Sequence, residues 1–239
     1  ILFQNGNSYE GEFVDDNFQG RGTYLYANGS KYIGDFKNDM KSGKGVFLYV
    51  NGEKYEGEFQ NDFIEGKGTY SYLSGDKYTG AFKDGKKDGY GVYSFSDGKT
   101  YTGEFKDDKK EGRGIFLFPN GTRYDGEFKN DKYDGMGSIT YPNGTKYVGQ
   151  FKEYRYEGLG KLDFPSGSSY NGEFLNSKFH GKGVYFFSTG KKYEGDFKEG
   201  KFEGQGIYTY LNGDKYIGGF KNGKFEGQAT VYLSKGVKY

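Results

Sequence analysis

The pattern Tyr-x-Gly-x-Phe at Tyr9-Glu-Gly-Glu-Phe13 returns every 23 residues, and this spacing limits the fold more than any other feature of the chain. It recurs at Tyr32, Tyr55, Tyr78, Tyr101, Tyr124, Tyr147, Tyr170, Tyr193 and Tyr216 without an insertion or deletion, and Tyr239 stands where an eleventh unit would start. A period of this size marks a supersecondary unit that buries its apolar face by stacking on its neighbours. The expectation is one array over residues 1–239, with 1–8 as the end of a truncated repeat and a chain that enters mid-unit at Ile1 as a fragment.

Positions within a unit are counted from its Tyr. Tyr, Gly and Phe occupy positions 1, 3 and 5 in all ten copies, with mostly polar residues between, which is the period-2 pattern of a strand. Glycines follow at positions 12 and 14 (Gly43 and Gly45) and aromatics at 16 and 18 (Phe47 and Tyr49), a second strand on the same face. The segment Lys37–Ser42 reads as the loop that joins them, and dipeptides such as Asn51-Gly52 at positions 20–21 turn the chain into the next unit. The fold class is therefore all-β: an elongated, single-layer, twisted antiparallel sheet of about ten consecutive 23-residue β-hairpin repeats. At about 4.8 Å per strand such a ribbon reaches on the order of 100 Å. Glycine at 3 and 14 leaves room for an aromatic ring to lie over bare backbone, and a repeated glycine in a strand signals that close approach.

The opposite face is polar. Position 4 is mostly acidic (Glu12, Asp35, Glu58, Glu104) and position 13 often basic (Arg21, Lys44, Lys67, Arg113). Read as opposite partners within a hairpin, they would form cross-strand ion pairs on a solvated face.

Composition removes several functions. There are 34 basic and 33 acidic residues, so no basic surplus exists for nucleic acid. No Cys is present, which excludes disulfides and thiolate metal sites. The single His180, at a position where most units carry an acid, reads as a surface loop residue. No constellation stands apart from the repeat, so no catalytic, cofactor or metal residue is assigned.

Tyr-x-Gly-x-Phe, then Gly-x-Gly, then Asn-Gly at this spacing resembles the MORN (membrane occupation and recognition nexus) repeat, across essentially the whole chain. The Trp that some members carry at position 5 is Phe throughout here. The resemblance implies an extended, non-enzymatic scaffold of the stand-alone cytoskeletal type, cytoplasmic and either cytoskeleton-associated or peripheral to a membrane. Its alternatives are a phosphoinositide or membrane-docking module and a targeting appendage of a larger enzyme.

Candidate sites lie where units differ. Position 10 carries five consecutive aromatics, Tyr133, Tyr156, Phe179, Phe202 and Phe225, expected to stack at the hairpin loops and line a groove for a partner helix or peptide. In the first half it carries Phe18, Lys41, Ile64, Lys87 and Lys110. Lys86, Lys87, Lys109 and Lys110 are the candidates for anionic lipid headgroups. The last unit departs furthest, with Gly219, Ala229 and the uncharged Val231, Tyr232, Leu233 and Val237, expected to pair with a second copy as a homodimer.

Overall fold

The computed structural model describes residues 1–234 and 236, so Val237 of the expected self-association strand lies outside the described residues. Twenty antiparallel strands, β1 to β20, make ten hairpins, and no helix occurs among the described residues. The first hairpin is β1 (Ser8–Val14) with β2 (Asn17–Leu25), and the last is β19 (Lys215–Lys221) with β20 (Lys224–Tyr232). The chain falls into two compact units, Ile1–Pro119 and Asn120–Tyr239, of five hairpins each.

Within a hairpin, position 1 faces 16, 3 faces 14 and 5 faces 10, as in Tyr9 with Tyr24, Gly11 with Gly22 and Phe13 with Phe18. Between successive hairpins of one unit, 14 faces the next 3 and 16 the next 1, as in Gly22 with Gly34 and Tyr24 with Tyr32. Both registers place glycine beside glycine, so an unbroken glycine row crosses all ten strands of the first unit.

The row is covered on one side by the position-1 tyrosines. A Cβ built on Gly22 would sit 2.5 Å from the Tyr9 ring, which explains why this position admits no side chain. Each of the ten tyrosines also turns its hydroxyl onto the backbone, donating to the carbonyl of position 4 in its own hairpin, from Tyr9 on Glu12 at 3.0 Å to Tyr216 on Gly219 at 3.0 Å. The ring is thereby a buried apolar body with a satisfied polar tip, and each such bond adds about 1 kcal/mol. Position-5 rings meet it edge-on from its own hairpin and from the next, as Tyr32 does with Phe36 at 5.1 Å and Phe59 at 4.9 Å. In the second unit Tyr147 repeats this with Phe151 and Phe174. The core of each unit is this ladder.

Three expectations change. The segment Lys37–Ser42 is not a loop. The reversal takes only Asn38 and Asp39, both at positive φ (49° and 66°), and Met40–Leu48 is already strand. A two-residue turn with both residues left-handed matches the twist of its strands, and Asn and Asp tolerate that conformation. In the turns between hairpins, by contrast, only the glycine of Asn51-Gly52 has positive φ, and the Asn51 side chain accepts the Glu53 amide at 3.0 Å. Finally, the position-18 rings stand just past the strand end and form a second aromatic row with position 16, as in Tyr24 and Tyr26 at 4.7 Å and Tyr26 and Phe47 at 5.5 Å.

Candidate functional site

Each hairpin contains a bulge between the glycine pair and the turn, and the bulge decides what the acidic residues do. Position 12 is a left-handed glycine there (Gly20, φ 63°), and a Cβ on it would strike the Glu12 carboxylate. That carboxylate accepts the Arg21 amide at 3.0 Å, and the same bond from position 4 to the amide of position 13 recurs in six hairpins. Among the described residues the expected acid–base pairs within a hairpin do not form, because the extra residues of the bulge shift position 13 off position 4. Position 13 instead lies opposite position 4 of the following hairpin, where Arg21 meets Asp35 at 3.3 Å and Lys182 meets Asp196 at 2.6 Å.

On this polar side each unit has a groove over its glycine row, and the first unit has a further pocket of about 580 Å³ on the ring side, beside Lys41, Phe47, Tyr49 and Ile64. In the first unit a groove of about 540 Å³ runs over the glycine row from Gly34 to Gly80. One wall is Ile33, Val46, Glu56, Thr69 and Thr79, with the two threonine hydroxyls 3.0 Å apart; the other is Arg21, Lys44, Glu58, Lys67, Ala81 and Tyr90. In the second unit a groove of about 500 Å³ lies over Gly183, Gly195 and Gly206, between Val184, Glu194, Ile207 and Ile217 on one side and Lys182 and Gln205 on the other. Sequence reasoning took this side for a solvated face. The signal that was available is the loss of repeat at position 13, where Tyr90 is 64% exposed and Met136 and Leu159 replace a basic residue.

The position-10 aromatics are strand residues opposite position 5, not loop residues, because the turn takes only two positions. Each lies flat on the ladder tyrosine of its own hairpin: Tyr133 on Tyr124 at 3.7 Å, Tyr156 on Tyr147 at 3.8 Å, Phe179 on Tyr170 at 3.9 Å and Phe202 on Tyr193 at 3.8 Å. Tyr133 is buried, the next three are half-buried, and Phe225 is 48% exposed. Phe225 sits on Tyr216 with its plane tilted by 34°, against 8° to 16° elsewhere in this unit. Ala229 supplies the reason, since it places a methyl where every other unit leaves the tyrosine bare backbone.

Lys41, Lys87 and Lys110 occupy the same place in the first unit and lay their ammonium groups over the rings instead. Lys87 Nζ is 5.9 Å from the Tyr78 centroid, 3.1 Å from Asp108 and 3.2 Å from the Tyr72 hydroxyl, with its side chain only 14% exposed. Burial pulls the Lys87 pKa down, but Tyr72 and Asp108 more than offset it, and the value stands above the ordinary lysine value. Lys110 lies 5.7 Å from the Phe95 and Tyr101 centroids. Lys86 is exposed and paired with Asp107 at 2.9 Å, and Lys109 is exposed at the start of β10 (Lys109–Leu117).

His180 is not in a loop. It is half-buried in β16 (Lys178–Phe186) opposite Glu173, and its Nδ1 is buried without a partner. Val231 and Tyr232 end β20, and Leu233 follows it. Among the described residues no group of three or more His, Asp or Glu could hold a metal ion.

Bulged hairpins joined glycine to glycine define a β-hairpin repeat protein. The family model described as MORN repeat matches residues 9–31, 32–54, 55–77, 78–100, 101–123, 124–146, 147–169, 170–192, 193–215 and 216–237, and the chain belongs to the MORN-repeat family. No curated protein matches it. Among solved structures it is similar to the wild-type TCP10 domain of Danio rerio CPAP, at 15% identity and TM-score 0.47 over 82% of this chain and 92% of that one. It is also similar to the TCP domain of Drosophila melanogaster SAS-4 in complex with a proline-rich motif of Ana2, at 19% identity and TM-score 0.42 over 65% and 85%.

Proposed function

We propose that this chain is a non-enzymatic scaffold that docks extended protein segments in the glycine-floored groove of each unit. One observation carries the reading. On the polar side a groove lies open over the glycine row of each unit and its walls change from hairpin to hairpin, whereas on the ring side the position-1 tyrosines are buried and the first unit opens beside Lys41 and Ile64, in a pocket of about 580 Å³ among the described residues. A surface that repeats in its frame and varies in its walls can be read by a partner in one register. Association of two copies through Val231, Tyr232 and Leu233 is the second part of the proposal.

A photo-crosslinking amino acid placed singly at Thr79, Ile207 or Phe225 and used in native lysate tests the docking face. Discrete protein adducts from Thr79 and Ile207, with none from Phe225, support groove docking. Adducts from Phe225 alone overturn it and move the docking surface to the stripe of Tyr133, Tyr156, Phe179, Phe202 and Phe225. For self-association, Val231→Lys with Leu233→Lys is expected to halve the mass in light scattering, and an unchanged dimer mass refutes it.

A further inference from the structure

Hairpin four, Tyr78 to Ser94, lacks one group that the frame of its neighbours supplies. Its position 4 is Ala81, where seven of the ten units carry an acid. The backbone is nonetheless the same: the register shift lies between Gly80 and Phe82, matching Gly57 and Phe59 one unit earlier. Gly89 keeps positive φ (99°), and a Cβ on it would come within 3.1 Å of the Ala81 methyl, the side on which other units place a carboxylate.

Such a carboxylate meets a position-13 amide in six hairpins and a position-13 cation in two, and neither group has it here. The first is the position-13 amide of the same hairpin. In six hairpins a position-4 acid accepts this amide, and among the described residues no side chain accepts from the Tyr90 amide. The second is the position-13 cation of the preceding hairpin. Arg21 pairs in this way with Asp35 and Lys182 with Asp196, while Lys44 faces Glu58 without an ion pair; Lys67 lies directly opposite Ala81, has no acid at that place, and its ammonium makes no ion pair among the described residues. Ala81, Lys67 and Tyr90 all line the groove of the first unit. Of the two acids that line this groove, Glu58 accepts the Lys67 amide at 3.3 Å and Glu56 is paired with Lys54 at 2.7 Å.

We infer that this groove takes an acidic side chain of a protein partner, its carboxylate seated over Ala81 between the Lys67 ammonium and the Tyr90 amide. The partner completes in trans the contact that other hairpins make in cis. Charge-assisted bonds from an amide and an ammonium are the strong kind, and Ile33, Val46 and the threonine methyl groups of the facing wall give the flanking peptide a surface that a free carboxylate would not use. The inference rests on the groove being a docking surface.

The probe is fluorescein-labelled hexaglutamate, titrated by anisotropy at low salt against the full chain, with free glutamate as the small-anion control. Hexaglutamate is expected to bind and to move the Tyr90 amide proton downfield in an amide NMR spectrum. Ala81→Glu restores the carboxylate in cis and should compete with the peptide, weakening binding by about tenfold while leaving the melting temperature equal or higher. Lys67→Gln should weaken it by about tenfold as well, and Lys182→Gln, whose acids are in place, by less than about twofold. Hexaglutamate binding to Ala81→Glu as tightly as to the parent, or no binding at all, overturns the inference. Free glutamate shifting the Tyr90 amide at equal concentration overturns the peptide occupant. If Ala81→Glu fails to fold, Lys67→Gln and the Tyr90 amide decide the question. Groove crosslinks at Thr79 combined with failure here would leave the docking face standing and remove only the acidic ligand.

Discussion

The two units cover most of their ladder tyrosines with different lids, the exception being Tyr9 in the first unit, which lies under Phe18 at 3.8 Å. In the first, Tyr32, Tyr78 and Tyr101 lie under the ammonium groups of Lys41, Lys87 and Lys110. In the second, all five tyrosines lie under aromatic rings. A lysine lid needs partners. Lys41 reaches Asp62 at 2.8 Å and the Tyr26 hydroxyl at 3.2 Å, and Lys87 reaches Asp108 and Tyr72 in the same way. An aromatic lid needs no acid, and the matching turn position of the following repeat is then Tyr154, Ser177, Gly200 or Gly223. The comparison teaches that the frame is indifferent to the lid. What the frame requires is the flat tyrosine over paired glycines, and either a cation or a ring can close its exposed π face.

The largest expected effect tests that shared frame. Gly91→Ala in the first unit and Gly206→Ala in the second each put a methyl against a tyrosine ring, at 2.5 Å from Tyr78 and 2.7 Å from Tyr193. Each should lower stability by about 3 kcal/mol in urea denaturation, and a large cost in one unit only would break the equivalence.

Alkaline titration follows. Burial lifts the phenols of Tyr32, Tyr78, Tyr124 and Tyr193 above the usual value of 10.0, Tyr193 to about 12. The folded state therefore holds protons that the unfolded chain releases, so stability is intact below pH 10 and falls as pH rises from 10 through 12. Lys41 and Lys87, whose pKa values are also raised, shift in the same sense. Circular dichroism against pH should show loss of the sheet in that window, and a sheet unchanged at pH 12 would refute the buried neutral phenols.

Exchanging lids sharpens the contrast. Phe202→Ala should cost about 2 kcal/mol, because a half-buried ring is lost from Tyr193. The pair Lys87→Phe with Asp108→Gly converts a lysine lid to an aromatic one and should change stability by less than about 1 kcal/mol in thermal melts, with weaker dependence on salt. A large loss would show that the lids are not interchangeable. The smallest effect concerns the second aromatic row, where Tyr93 donates to Asp76 at 2.9 Å. The Ser96 amide, together with the Tyr93 hydroxyl, holds the Asp76 pKa below the ordinary value, so this contribution is present at neutral pH and fades as pH falls through the carboxylate range. Tyr93→Phe should cost about 0.5 kcal/mol at pH 7 and less in acid, and should raise the Asp76 pKa in an NMR titration.

Much of the frame was legible. Tyr-x-Gly-x-Phe at fixed spacing specifies strands, and Gly22 and Gly45 announce a ring over backbone. The groove was not legible, because Ile33 and Val46 share their row with Glu56, Thr69 and Thr79 and so form no continuous apolar run. Nor was the role of Glu12, Asp35 and Glu58, since the bulge that carries each acid onto an amide leaves only Gly20, Gly43 and Gly66 as its trace.

By itself, then, the sequence determined the period, the hairpin unit, the all-β class and the ladder of tyrosines, all of which depend on contacts within one repeat or between adjacent ones. The tertiary structure decided which face stays open and what covers each ring. A pleated strand offers two faces with equal periodicity. Only the lateral stacking of rings from different strands closes one of them, and only the register shift at each bulge separates acid from base on the other.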